Sequence, residues 1–257
     1  MKDSEQKLRN FRLVLAYDGL EFSGWQVQPH AQTIQGTLTS AIGRLTGENV
    51  LPQGAGRTDA GVHALAQVAS FTTASLIPAE NLVKALNDIL PASIRVLEAS
   101  EAPADFHARK SARGKTYRYR IFRGPICPPF LARYVWHYPY LLDEAAMRQA
   151  AELVLGEHDF TSFAAVDPEK GKTEEEASTV RRVLDSRWER QGDELVYTVH
   201  GSGFLHHMVR NVVGTFVLVG KGTLRPEDVR QILKARNRSA AGPTAPANGL
   251  YMVSVEY

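Results

Sequence analysis

The stretch that most limits how this chain can fold runs from Gly54 to Ala64, Gly-Ala-Gly-Arg-Thr-Asp-Ala-Gly-Val-His-Ala, and it passes without a break into Leu65-Ala-Gln-Val-Ala-Ser-Phe71. Three glycines within eight residues allow backbone angles closed to other residues, and Arg57 and Asp59 are the only charges in the segment. The apolar, partly alternating run that follows predicts a buried strand. A loop joined so directly to a buried strand is expected to be pinned against the core. Asp59 keeps two readings at this point, because a lone Asp in a Gly-rich loop is most often a turn-former bonded to its own backbone.

The elements around that loop set the fold class. Residues 11–17 alternate as a strand that Asp18-Gly19 ends, and an aromatic loop, Phe22-Ser23-Gly24-Trp25-Gln26, follows. Over 33–45 the apolar residues Ile34, Leu38, Ile42 and Leu45 step by three or four before Gly47, which predicts an amphipathic helix. A second helix opens at Pro78, carries Leu82, Leu86 and Leu90 on one face and stops at Pro91; residues 94–99 read as a strand. Strand, helix, strand, helix, strand is the order of a ferredoxin-like α+β half, assigned to residues 1–104.

Residues 105–257 form the second half in this reading. A strand over 114–122 places Tyr117, Tyr119 and Ile121 on one face and Arg118 and Arg120 on the other. Asp143 caps a helix to about Leu155, and 167–178 is charged and predicts an exposed loop. Residues 180–189 and 195–200, joined through Gln191-Gly192-Asp193, form a hairpin; helices over 205–219 and 226–235 and a closing strand over 250–256 complete the chain. The two-half reading rests on element order rather than on a residue-level repeat.

With 44% hydrophobic and 23% charged residues, the 257-residue chain is of ordinary globular composition, and its net charge of +2 announces no nucleic-acid partner. The distribution of charge does. Between Phe106 and Leu142 there is no acidic residue, while Arg109, Lys110, Arg113, Lys115, Arg118, Arg120, Arg123 and Arg133 are interleaved with Tyr117, Tyr119 and Phe122. That pattern favours a phosphate-binding surface over a merely solvated face. The single cysteine, Cys127, excludes an intrachain disulfide and a cysteine-based metal site. Residues 1–10 lack the apolar core of a signal peptide, and the longest charge-free apolar run, 212–219, falls short of the ~20 residues that span a bilayer. The expectation is a cytoplasmic protein.

Gly56-Arg-Thr-Asp-Ala-Gly-Val-His-Ala64 resembles the active-site loop of the tRNA pseudouridine synthase A family without a departure. Lys115-Thr-Tyr-Arg-Tyr119 is similar to that family's second motif, Phe204-Leu-His-His-Met-Val-Arg210 to its third and Gly249-Leu250-Tyr251 to its last. Met252 stands where the family more often has Leu, a volume-conserving change. Tyr17-Asp18-Gly19 and Gly24-Trp25-Gln26 extend the likeness toward the N-terminus. The resemblance implies an α+β pseudouridine synthase fold, two ferredoxin-like halves forming one large antiparallel sheet with helices packed on it and a central cleft. It also implies a homodimer that acts on uridines on the 3′ side of the tRNA anticodon arm, with no cofactor and no metal.

Carried over by position, Asp59 is the nucleophile, Arg210 its ion-pair partner, Tyr117 the platform on which the target base stacks and Leu250 an apolar contact from another side. Arg57, two residues before Asp59, would enter the gap left by a flipped base or hold the displaced strand, and Arg109, Arg113 and Lys115 would meet phosphates. The residues alone say less. Arg210 lies in an apolar helical run and needs an anionic partner if buried, but any carboxylate would serve, and so would snorkelling to the surface. Tyr119 reads as a core residue. His206 and His207, taken as adjacent on a helix, point about 100° apart and share no metal face. The rival classes are a non-catalytic RNA-binding module and a phosphate-handling enzyme; against the latter, no Gly-Lys-Ser/Thr closes the loop.

Overall fold

The computed structural model describes residues 8–165 and 178–257. The chain divides into two units, one reaching to Arg113 and regaining Tyr251–Tyr257, the other Gly114–Leu250.

The first unit contains β1 (Arg9–Tyr17), α1 (Ile34–Thr46), β2 (Gln53–Gly54), β3 (His63–Thr73), α2 (Ala79–Ile89) and β4 (Ile94–Ala102). β1 is the central strand, antiparallel to β3 on one side and to β4 on the other, and β2 pairs with β3. Phe11, Leu13, Leu15 and Tyr17 are buried along one side of β1. Val14 joins Ala55, Val68 and Ala108 in a second small cluster that Phe106, Val255 and Tyr257 cover. Both ladders slip in register around Leu15, between Leu15 and Tyr17 against β3 and between Val14 and Leu15 against β4. α1 forms as its spacing requires: the Thr33 hydroxyl caps Gly36 N, Gly47 ends the helix at φ 75°, and Ile34, Leu38 and Ile42 turn inward. α2 starts after Pro78, buries Leu82 and Leu86, and packs on β4.

The second unit contains β5 (Gly114–Phe122), α3 (Pro129–Ala132), β6 (Trp136–His137), α4 (Glu144–Glu152), β7 (Gly156–Asp159), β8 (Val180–Gln191), β9 (Glu194–Gly201), α5 (Met208–Gly220) and α6 (Asp228–Ala235). Its strands run in the order β5-β9-β8-β7, each antiparallel to its neighbour, and β6 lies parallel to β5. Tyr119 faces Tyr197 across β5 and β9, and Tyr197 faces Trp188 across β9 and β8. Phe216 of α5 closes on Tyr197 edge-on at 5.5 Å, which welds the helix to the sheet through ring contacts. β10 (Leu250–Glu256) leaves this unit and runs parallel to β3, pairing Tyr251 with His63. The fold is therefore α+β, with mostly antiparallel strands and helices packed on them. Among the described residues no helix is long and apolar enough to cross a membrane.

Several boundaries differ from those expected. α5 begins at Met208 rather than 205, because His207 takes the left-handed conformation at φ 59° and cannot continue a helix upstream. α4 stops at Glu152, three residues early, and Gly156 at φ 98° opens β7, a short polar strand that no apolar pattern announces. α6 starts two residues later than expected, at Asp228. Apart from Ser178, the expected loop over 167–178 lies outside the described residues.

Candidate active site

The loop from Gly54 to Val62 is held by its backbone on several sides within the first unit. Gly54 lies on the Trp25 indole, where a Cβ would come within 2.5 Å of the ring. Trp25 N donates to Thr58 O at 2.9 Å, and Gly61 N reaches Phe22 O at 3.4 Å. Gly24 sits flat against the loop at φ 86°, and a Cβ there would stand 2.6 Å from Thr58 O and 3.2 Å from the Asp59 carbonyl carbon. Gly19 meets Val62 still more closely, its absent Cβ falling 1.9 Å from Val62 O. The Tyr17-Asp18-Gly19 and Gly24-Trp25 segments, which the sequence shows as a strand end and an aromatic loop that extend the family likeness, are thus the bed in which the Asp59 loop rests.

Side chains tie the same loop from beneath. Tyr17 Oη and Thr58 Oγ1 are 2.9 Å apart, and Gln67 Nε2 donates to Gly56 O at 2.8 Å. Burial raises the Tyr17 hydroxyl to about 12, against the bonds to Thr58 and Gln67 that lower it, so the phenol stays neutral at working pH. His63 Nδ1 lies 3.1 Å from an Asp18 carboxylate oxygen, and its ring stacks on Tyr251 at 4.9 Å. Asp59 itself is half-buried, with its carbonyl accepting from Val62 N at 3.1 Å. Arg57 is exposed, and its Nε donates to Gln26 Oε1 at 3.2 Å. Arg109 and Arg113 are exposed in the same unit, Arg113 N bonding Glu256 O at 2.8 Å.

The second unit places Lys115, Tyr117, Arg210 and Leu250. Tyr117 alternates with Tyr119 and Ile121 on the buried face of β5, as expected, and its ring stands edge-on to Phe204 at 5.0 Å. Tyr119 is fully buried and donates to Pro246 O at 2.7 Å, with Gly249 lying against its ring. Burial raises the Tyr119 hydroxyl well above its ordinary value, and the nearby Arg210 charge opposes the shift. Leu250, 5% exposed, is the residue after that clamp, so Tyr119 fixes where Leu250 starts.

Arg210 on α5 is half-buried, and its Nε donates to Ala245 O at 2.8 Å while Ala245 N returns a bond to Arg210 O at 3.1 Å. Neighbouring Asn211, fully buried, binds Phe163 O and accepts from Arg238 and Thr244. That network lays the segment holding Ala245 along the helix.

Two expectations need correction here. His206 and His207 precede α5 rather than standing on it, and their rings lie 4.0 Å apart, so the helical argument that separated them does not apply. Within the basic segment, Arg120 is bound bidentately by Glu194 at 2.7 Å through Nε and one terminal nitrogen, so its charge is already met by a carboxylate rather than standing open on a basic surface. Lys115, half-buried at the start of β5, lies beyond that pair.

A family described as tRNA pseudouridine synthase matches residues 13–109 and 150–257 of the chain. A protein of Solibacter usitatus named tRNA pseudouridine synthase A is 52% identical over 250 residues, covering 97% of this chain and all of the relative. Proteins of the same name from Brevibacillus brevis and Caldicellulosiruptor bescii are 48% and 45% identical, each over 97% of this chain and 100% of their own length. With a family match over most of the sequence and relatives alike from end to end, the chain belongs to the tRNA pseudouridine synthase family, a family of isomerases.

Proposed function

We propose that this protein converts uridine to pseudouridine in tRNA, on the 3′ side of the anticodon arm, with Asp59 as the nucleophile. The reaction breaks the N1–C1′ glycosidic bond and joins C1′ to C5 of the same base; the proton on C5 leaves and N1 gains one. Nothing is oxidised and no outside group is transferred. An ionised carboxylate beside ribose and pyrimidine can attack C1′ of the sugar or C6 of the base and later depart.

The observation that carries this reading is the loop itself. Its backbone is fixed by Gly19, Gly24, Trp25, Tyr17 and Gln67, while the Asp59 side chain at its tip remains half-exposed. A turn-forming Asp needs no such bed; a carboxylate that must meet one carbon atom does.

The other residues take roles around it. Arg210 serves as the cationic partner of Asp59. Tyr117 receives the flipped base, Leu250 packs against it and Arg57 occupies the vacated place in the stem. Arg109, Arg113 and Lys115 contact phosphates. The active form is a homodimer in the cytoplasm.

Asp59→Asn tests the reading because it keeps turn propensity and shape and removes the charge. It should bind tRNA as the parent does and release essentially no tritium from uridine labelled at C5 under single-turnover conditions. A rate within about tenfold of the parent, a barrier change of only ~1.4 kcal/mol, would mean that Asp59 is not the nucleophile.

A further inference from the structure

Beneath the Asp59 loop lies a polar trio that neither a stable strand nor a stable turn requires. Tyr17, Thr58 and Gln67 are 4%, 6% and 0% exposed. Neutral polar groups buried at such a depth give little net stability over apolar residues of the same shape, so what they hold in place matters more than the stability they add. Their bonds converge on two loop residues. Gln67 Nε2 holds Gly56 O at 2.8 Å, and Tyr17 Oη holds Thr58 Oγ1 at 2.9 Å. Gly56 and Thr58 bracket Arg57, and Thr58 immediately precedes Asp59. Gln67 Nε2 also reaches Tyr17 Oη at 3.5 Å, so the three side chains meet at the tyrosine hydroxyl.

The strand geometry explains how both side chains reach one place. β1 and β3 are in step up to the pairing of Leu15 with Gln67, and then the register shifts so that Tyr17 faces Ala64. An irregularity of this kind bends a strand and re-aims the side chain beside it. Here it falls between the two residues that hold the loop. Gln67 is anchored in turn, its Oε1 accepting from Val68 N at 3.2 Å.

We propose that Tyr17 and Gln67 are positioning residues for the isomerisation, acting through Thr58 and Gly56 to fix the direction of the Asp59 carboxylate. The proposal rests on Asp59 being the nucleophile. Tyr17 does not touch the reacting atoms; it sets where the backbone ahead of Asp59 lies. Thr58 is the joint through which that placement passes.

The test is a double-variant cycle read by single-turnover tritium release from a tRNA labelled at uridine C5. Tyr17→Phe and Thr58→Val each remove one hydroxyl of the 2.9 Å contact and nearly keep the shape of the side chain they replace. Each should lower the maximal rate about 10- to 100-fold, the scale of a sub-ångström to one-ångström misplacement, while the concentration giving half the maximal rate stays within about twofold. The double variant should be no more than about threefold slower than the slower single, since both lose the same bond. Thr58→Ser, which restores the hydroxyl, should recover most of the rate.

A Tyr17→Phe enzyme within about twofold of the parent overturns the proposal, and so does a double variant whose losses multiply. Should Tyr17→Phe fail to fold, Thr58→Val and Thr58→Ser carry the test, and equal rates for the two overturn it. Asp59→Asn run beside them separates the failures. If Asp59→Asn is inactive and Tyr17→Phe fully active, the positioning role alone is wrong; an active Asp59→Asn removes the nucleophile reading and the positioning role built on it.

Discussion

Replacing Gly24 by Ala sets one methyl group against the backbone that carries Asp59. Gly24 holds φ 86°, and its new Cβ would stand 2.6 Å from Thr58 O and 3.2 Å from both the Asp59 carbonyl carbon and Ala60 N. Against an ordinary contact of 3.4 Å, the shortfall at Thr58 O is about 0.8 Å. Every atom it meets is backbone, and the Trp25 N to Thr58 O bond at 2.9 Å ties the two segments together, so the strain cannot be relieved by turning a side chain. The positive φ alone costs an alanine ~1–2 kcal/mol, and the overlap adds ~1–3 kcal/mol. If the loop yields the missing distance, the carboxylate moves by nearly an ångström, and the single-turnover rate should fall by ~10²-fold, or ~2.7 kcal/mol in barrier. Gly47→Ala supplies the control, since Gly47 has φ 75° with nothing within 4 Å of its Cβ position. It should lose stability through backbone strain and keep the parent rate. Thermal unfolding by circular dichroism and tritium release, both read well below the transition, separate the two effects. A Gly24→Ala enzyme that is folded and within about twofold of the parent rate would refute the argument that this contact places Asp59.

Tyr117→Ala should slow turnover much more than it weakens tRNA binding, whereas Tyr119→Ala, which empties a fully buried site and frees Pro246 O, should chiefly lower stability by ~3–5 kcal/mol; filter binding, single-turnover rates and urea unfolding distinguish them. Arg210→Met should reduce the single-turnover rate, because the Asp59 carboxylate loses its cationic partner while the side-chain volume is kept; a rate equal to the parent's would place the partner of Arg210 elsewhere. Asp159 offers a stability test away from the site. Its burial favours the neutral acid, but the Thr161 hydroxyl and amide, the Thr179 hydroxyl and Arg236 outweigh that and hold its pKa below the ordinary carboxylate value. A depressed folded value adds stability that is complete above pH ~4 and lost as pH falls through it, so the urea midpoint of the parent should drop more than that of Asp159→Asn between pH 5 and pH 3.

Local signals carried much of the fold. Thr33 and Gly47 delimit α1 as their chemistry requires, the alternation over 114–122 reproduces β5 with its buried tyrosines, and the turn at Gly192 joins β8 to β9 at φ 59°. Errors arose where a backbone choice leaves no mark in polarity. The apolar pattern of α5 continues upstream past His207, and no Gly or Pro there announces the left-handed angle that starts the helix at Met208. β7 is Gly-Glu-His-Asp, held by its pairing with β8 rather than by burial of its own residues.

The parts of the candidate site that were missed share a different property. Tyr17 meets Thr58 across 41 residues and Gln67 meets Gly56 across 11, at a register slip that a period-two reading cannot represent. Yet each missed residue left a trace: Gln67 is the lone amide in a run otherwise read as a buried strand, and Asn211 and Thr215 interrupt an otherwise apolar helix. Arg210 drew attention by its charge. Asn211, beside it and uncharged, is the more deeply buried of the two, and it holds Arg238 and Thr244 in the segment that brings Ala245 to the Arg210 guanidinium. A neutral polar side chain in a buried run must find a partner or cost the fold a hydrogen bond, and here the partners, Gly56 O for Gln67 and Phe163 O with the Arg238 and Thr244 side chains for Asn211, lie in or beside the segments that set the functional side chains in place. Gln67 thereby holds the loop that carries Asp59, and Asn211 the segment whose Ala245 carbonyl receives Arg210.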